Sequence, residues 1–72
     1  MDVRTKIGLR LKELRIEKAI SQEKFSFICD LDRTYIASIE QGKRNVSIAN
    51  IEKIAQAFEM SVYQFFKSDL FK

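Results

Sequence analysis

The chain has 72 residues, 46% of them apolar, and carries 13 Lys and Arg against 10 Asp and Glu for a net charge of +3. That length holds one domain with one small core, the apolar share is too high for a disordered chain, and no apolar run reaches 18 residues, so a soluble, cytoplasmic protein without a membrane segment is expected. With no histidine, one cysteine and two isolated glycines there is no zinc site, no imidazole acid–base and no glycine-rich phosphate loop, so neither an enzyme nor a cofactor or small-molecule site is expected.

The first helix is predicted over Asp2 to Lys18. Val3, Ile7, Leu11 and Leu14 recur at spacings of four, four and three, which is one helical face. Asp2 and Lys18 stand at the ends of the dipole that suit their charges. Arg4, Lys6, Arg10 and Lys12 populate the outer faces, as a solvated surface or, for Arg10 and Lys12, as phosphate contacts. Leu9 and Ile16 fall off the stripe and are expected to meet the C-terminal segment.

Ser21 is an N-cap candidate for a second helix over Gln22 to Cys29, with Phe25, Ile28 and Cys29 inward. Cys29 takes a place that wants a small apolar residue and reads as an inert buried thiol. Asp30 and Leu31 make a tight turn. Asp32 caps a third helix, Arg33 to Gln41, and Gly42 supplies the left-handed residue beyond it.

The third helix buries Ile36 and Ile39, flanked by Asp32 and Glu40. Its opposite face carries Thr34, Ala37, Ser38 and Gln41, with Arg33 and Tyr35 to the sides. A merely solvated helix mixes Glu and Lys on its outer face. This one is polar, small and short of acids, with a basic residue at its leading end, as a helix lying in the DNA major groove requires. The plainer reading is two packed helices with a polar surface.

Next comes the loop Lys43-Arg44-Asn45-Val46, with Val46 inward and the other three outward. Ser47 caps a fourth helix, Ile48 to Phe58, with Ile48, Ile51, Ile54, Ala55 and Phe58 as its stripe. A basic loop feeding a helix N-terminus, with free N–H groups from Ile48 to Asn50, can clamp a phosphate. Glu59 and Met60 turn the chain. Ser61 to Gln64 is a capping box that opens a fifth helix to about Lys67. Met60, Tyr63, Phe65, Phe66, Leu70 and Phe71 are more apolar surface than the end of so small a domain can bury. Two or three should close the core and the rest should form a self-complementary patch, which makes a homodimer the expectation.

Ser21-Gln22-Glu23, Phe25, Ser26, Leu31, Asp32, Ile36, Ile39-Glu40 and Gly42 together resemble the helix-turn-helix of the lambda repressor and Cro (XRE-type) family. The run Asp32 to Ile48 is most similar to the controller proteins of restriction–modification systems. The resemblance implies an all-α, five-helix, lambda-repressor-like fold with the helix-turn-helix at about 22–41, occupying 1–72 as a single domain with a C-terminal dimerisation segment. It implies a sequence-specific transcriptional regulator of double-stranded DNA, acting at its own promoter region. It also implies that the Gln22 amide meets a phosphate and that Arg15 and Glu40 form a partly buried ion pair. The family commonly has Gly at the turn where this chain has Asp30, which tolerates left-handed geometry better than most residues.

On this reading Arg33, Thr34, Tyr35, Ser38 and Gln41 read bases. Gln22, Lys43, Arg44, Asn45, Ser47 and Asn50 hold phosphates. A phage-type repressor or an antitoxin would share the same domain. A protein–protein adaptor would instead place acidic or apolar residues at 33, 34, 38 and 44, where this chain has Arg, Thr, Ser and Arg.

Overall fold

Five α-helices and a closing 3₁₀ turn make up the protein in a computed structural model that describes all 72 residues. They are α1 (Val3–Glu17), α2 (Gln22–Cys29), α3 (Arg33–Glu40), α4 (Ile48–Ala57), α5 (Val62–Phe66) and the turn Asp69–Phe71. There is no strand, as the all-α expectation requires, and no helix is long and apolar enough to cross a membrane.

Short polar side chains start the helices. Asp2 lies outside α1 as its cap and accepts from the Arg4 N–H at 2.7 Å. Ser21 accepts from Lys24 at 3.0 Å, Ser47 from Asn50 at 3.1 Å, and Ser61 and Gln64 exchange both bonds of the capping box. Asp32 departs from expectation: it has the extended backbone of a cap but its side chain makes no capping bond.

Three helix ends share one solution. The Gly42 N–H bonds to the Ile39 carbonyl and the Lys43 N–H to that of Ser38, the paired bonds of a Schellman motif, with Gly42 at φ +75°. The same pair of bonds ends α1 with Ala19 at φ +55° and α4 with Glu59 at φ +59°. Asp30 is left-handed too, at φ +59°, so the turn between α2 and α3 forms without glycine.

The core joins residues of all five helices. Leu11, Phe25, Ile36, Ile39, Ile51, Ile54 and Phe65 are fully buried, and the Phe25 and Phe58 rings stack with centroids 4.5 Å apart. α1 crosses α3 closely at Gly8, where a Cβ would run into the Ile39 carbonyl oxygen and lie 3.0 Å from that of Glu40. Cys29 is buried, and loss of hydration pushes its thiol pKa above the ordinary 9.0.

Several stripe residues do not go inward. Ile28 is 48% exposed, because Phe25, Ser26 and Cys29 define the buried arc of α2 and Ile28 lies about 100° from its centre. Ser26 takes the inner place instead, donating its hydroxyl to the Glu23 carbonyl at 2.6 Å. Val3 and Ile48 lie on the correct meridians but are the first residues of their helices, and both stay exposed. Ile16, expected to meet the C-terminal segment, stays exposed. Arg10 does that instead: its Nε and Nη2 donate to the Phe65 and Gln64 carbonyls at 2.7 and 3.0 Å, closing the open end of α5.

Candidate nucleic-acid interface

Burying Ile36 and Ile39 fixes which face α3 presents. Arg33, Thr34 and Gln41 are exposed on it, and Ala37 and Ser38 are half-buried. Small residues at the middle of that face let a partner surface come close to the helix axis. Arg33 stands in the first turn of α3, near Asp30, Asp32 and Glu23 around an open cleft of about 520 Å³, yet forms an ion pair with none of them. Its guanidinium fork is therefore free to bond a ligand in two places. The cleft beside it, with three carboxylates, repels phosphate.

Behind the face, two side-chain clusters hold α3. Arg15 and Glu40 form a two-point ion pair, Nε to Oε2 at 2.7 Å and Nη2 to Oε1 at 3.0 Å. Their side chains are only 13% and 5% exposed. Arg15 also donates to the Ile20 carbonyl at 2.8 Å, and its hydrogen bonds to Glu40 raise its pKa further, so it stays charged. Gln22 joins this cluster by donating Nε2 to Glu40 Oε1 at 3.1 Å. The amide is thus tied to the carboxylate and half-buried, with one N–H hydrogen left for a phosphate.

The second cluster lies where α3, the basic loop and α4 meet. Tyr35 is half-buried against the core and its hydroxyl accepts from Asn50 Nδ2 at 3.1 Å. The Arg44 guanidinium lies over the Tyr35 ring, 5.4 Å from its centroid. Lys43 and Asn45 are exposed beside it. Ser47 spends its lone pair capping α4 and keeps its hydroxyl hydrogen for another acceptor.

The helix-turn-helix family pattern matches residues 11–65. The control protein C.MunI of a Mycoplasma species is 49% identical over 72 residues, 99% of this chain and 96% of that protein. The restriction–modification controller protein C.AhdI from Aeromonas hydrophila superposes with a TM-score of 0.83 at 44% identity, over 88% of this chain and 96% of that one. The chain belongs to the helix-turn-helix family of restriction–modification controller proteins. A further member, C.Esp1396I, solved as a tetramer in complex with its natural 35 base-pair operator, matches at TM-score 0.85 and 36% identity, over 93% of this chain and 88% of that one.

Within this controller the residues expected to meet bases and those expected to meet phosphates lie on α3, the loop after it and the starts of α2 and α4. Asn50, like Gln22, is bonded within the protein by one amide hydrogen and keeps the other. Its backbone N–H donates to Ser47 and its amide to the Tyr35 hydroxyl, which ties the start of α4 to α3. The bond between Asn50 and Tyr35 and the close approach at Gly8 escaped sequence reasoning, because each pairs residues from different elements with no local signature.

The C-terminal apolar group divides. Phe65 is fully buried and so is withdrawn from any dimer surface. Ser61 caps α5, which puts Met60 and Phe65 at the two positions of a hydrophobic staple and turns Phe65 inward. Met60, Phe66, Leu70 and Phe71 are half-buried, with Phe66 edge-to-face against both Phe65 and Phe71. Tyr63 is 71% exposed, with the Lys67 ammonium 5.8 Å from its ring centroid.

Proposed function

We propose that this controller binds operator DNA as a homodimer, laying α3 of each copy into the major groove at two half-sites about one DNA turn apart. The observation that carries the reading is the outward face of α3. It presents a free Arg33 fork, Thr34, Ser38 and Gln41, and no acid. Arg33 bonds O6 and N7 of a guanine, while Thr34, Tyr35, Ser38 and Gln41 complete the base contacts. Lys43, Arg44, Asn45, Ser47 and the remaining N–H of Gln22 hold phosphates and fix the register.

Dimerisation runs through the C-terminal elements. Tyr63 offers the most exposed apolar surface there, and Met60, Phe66, Leu70 and Phe71 are half-buried. The similarity to C.Esp1396I, seen as a tetramer on its operator, supports both symmetric association and DNA as the partner. The DNA is the promoter region of the controller's own gene.

Selection of binding sites from a random duplex pool tests this, followed by sedimentation of the complex. A two-fold symmetric motif occupied by two chains is expected. A protein that selects no motif, or that binds as a monomer at micromolar concentration, would refute it.

A further inference from the structure

We propose that Asn50 is a specificity-determining positioning residue: by donating its amide to the Tyr35 hydroxyl, it makes that hydroxyl a one-way hydrogen-bond donor toward DNA. The inference rests on the reading that Tyr35 lies in the DNA interface.

A phenol oxygen conjugates with its ring, so its O–H keeps close to the ring plane. Two in-plane sites result, one for the hydrogen and one for a lone pair, and a free hydroxyl exchanges them. Asn50 Nδ2, 3.1 Å away, fills the lone-pair site. The hydrogen must then take the other site, which points away from Asn50. The Arg44 guanidinium over the ring face holds the plane itself, and the core contacts of Tyr35 stop the ring from swinging. Asn50 is in turn anchored at the third position of α4, where its backbone N–H donates to Ser47.

A free tyrosine hydroxyl suits donors and acceptors alike. One whose accepting site is filled can only donate. Its DNA partner is then an acceptor, either N7, O6 or O4 on a base edge or a phosphate oxygen. The amino groups of adenine and cytosine are rejected, because two donors would face each other without a bond.

The test is a double-mutant cycle on the full chain: Asn50→Ala, Tyr35→Phe and the pair, each titrated against the wild-type site and each put through site selection. The Ser47 capping bond uses the Asn50 backbone N–H and survives the change, so α4 should keep its start; melting curves check this. Tyr35→Phe is expected to weaken binding about 3–10-fold per half-site, and Asn50→Ala about 2–5-fold, because the released hydroxyl then divides between two sites. In the Tyr35→Phe background, Asn50→Ala should cost nothing further. Asn50→Asp, whose carboxylate pulls the hydroxyl hydrogen inward, should bind worse than Asn50→Ala, and that excess should shrink in the Tyr35→Phe background. A flattened motif column identifies the acceptor as a base; uniform loss with the motif intact identifies a phosphate oxygen. Independent, additive losses from Asn50→Ala and Tyr35→Phe overturn the inference, as does a Tyr35→Phe protein that binds like wild type. Either result leaves the functional reading standing so long as the wild type selects a motif. A wild type with no sequence preference would sink that reading and the inference with it.

Discussion

Two arginines of the proposed interface have different surroundings and should fail differently. Arg33 is exposed in the first turn of α3 with no carboxylate partner, whereas Arg44 lies in the loop with its guanidinium over Tyr35. Losing a base-reading arginine costs about 1–3 kcal/mol and relaxes one position of the site. Losing a phosphate-binding one weakens all sequences alike and reduces the salt slope by about one. Arg33→Ala is therefore expected to flatten one motif column per half-site, and Arg44→Ala to keep the motif and lower the salt dependence; site selection at two salt concentrations distinguishes them. The Arg15–Glu40 pair makes a second residue-scale prediction. Glu40→Ala leaves the Arg15 charge buried and removes the anchor of Gln22, at a cost of about 3–5 kcal/mol. A chain of 72 residues has roughly 4–11 kcal/mol in total, so urea unfolding should show at least a quarter of its stability gone. A loss under about 1 kcal/mol would mean that the pair is effectively solvated.

At the scale of elements, helix ends and crossings decide the fold. Asp30, Ala19 and Glu59 all adopt the left-handed conformation without being glycine. Such a residue carries about 1–2 kcal/mol of steric strain. Replacement by glycine relieves it but adds about 0.4–1 kcal/mol of unfolded-state entropy. Ala19→Gly and Glu59→Gly should each gain about 0.5–1 kcal/mol in chemical denaturation. Asp30→Gly should gain less, because Asp tolerates the left-handed conformation better, and should not move α3, so DNA affinity should hold. Gly8 is the opposite case. Alanine favours a helix by about 1 kcal/mol over glycine, yet here its methyl would meet the Ile39 and Glu40 carbonyls of α3. Overpacking of that kind costs about 1–3 kcal/mol, so Gly8→Ala is expected to lower the melting temperature. A raised melting temperature would show that α1 can slide on α3 without penalty.

For the whole molecule the question is how so small a core stays folded while presenting a rigid face. Twelve apolar residues form the buried cluster, and no disulfide supplements them. Association that binds only the folded form adds stability by mass action. The melting temperature is therefore expected to rise with protein concentration. With the C-terminal elements as the proposed dimer contact, Tyr63→Asp should abolish that rise and weaken the dimer at least about tenfold, as loss of an exposed interface aromatic does. DNA binding would then fall with it, although Tyr63 lies on α5 and not on α3. A melting temperature independent of concentration in both proteins would locate the dimer contact elsewhere.

Local signals sufficed for most of the architecture. The serine caps, the Ser61–Gln64 box, Gly42 and the spacing of Ile36 with Ile39 each act within a few residues, so the helices and the outward face of α3 were legible in the sequence alone. The family pattern around Glu40 reached further and singled out Arg15 across 25 positions. What remained depended on distance between elements. Helical phase could not say that Val3 and Ile48 lie at helix ends, because exposure there is set by the length of the neighbouring helices. Nor could it divide the C-terminal aromatics, since Phe65 turns inward through the cap of a five-residue helix while Tyr63 turns out. That Arg10 bonds the open end of α5 and that Asn50 bonds Tyr35 was hidden for the same reason. A polar side chain bonds to the nearest unsatisfied group, and only the packing of one helix on another determines which group is nearest.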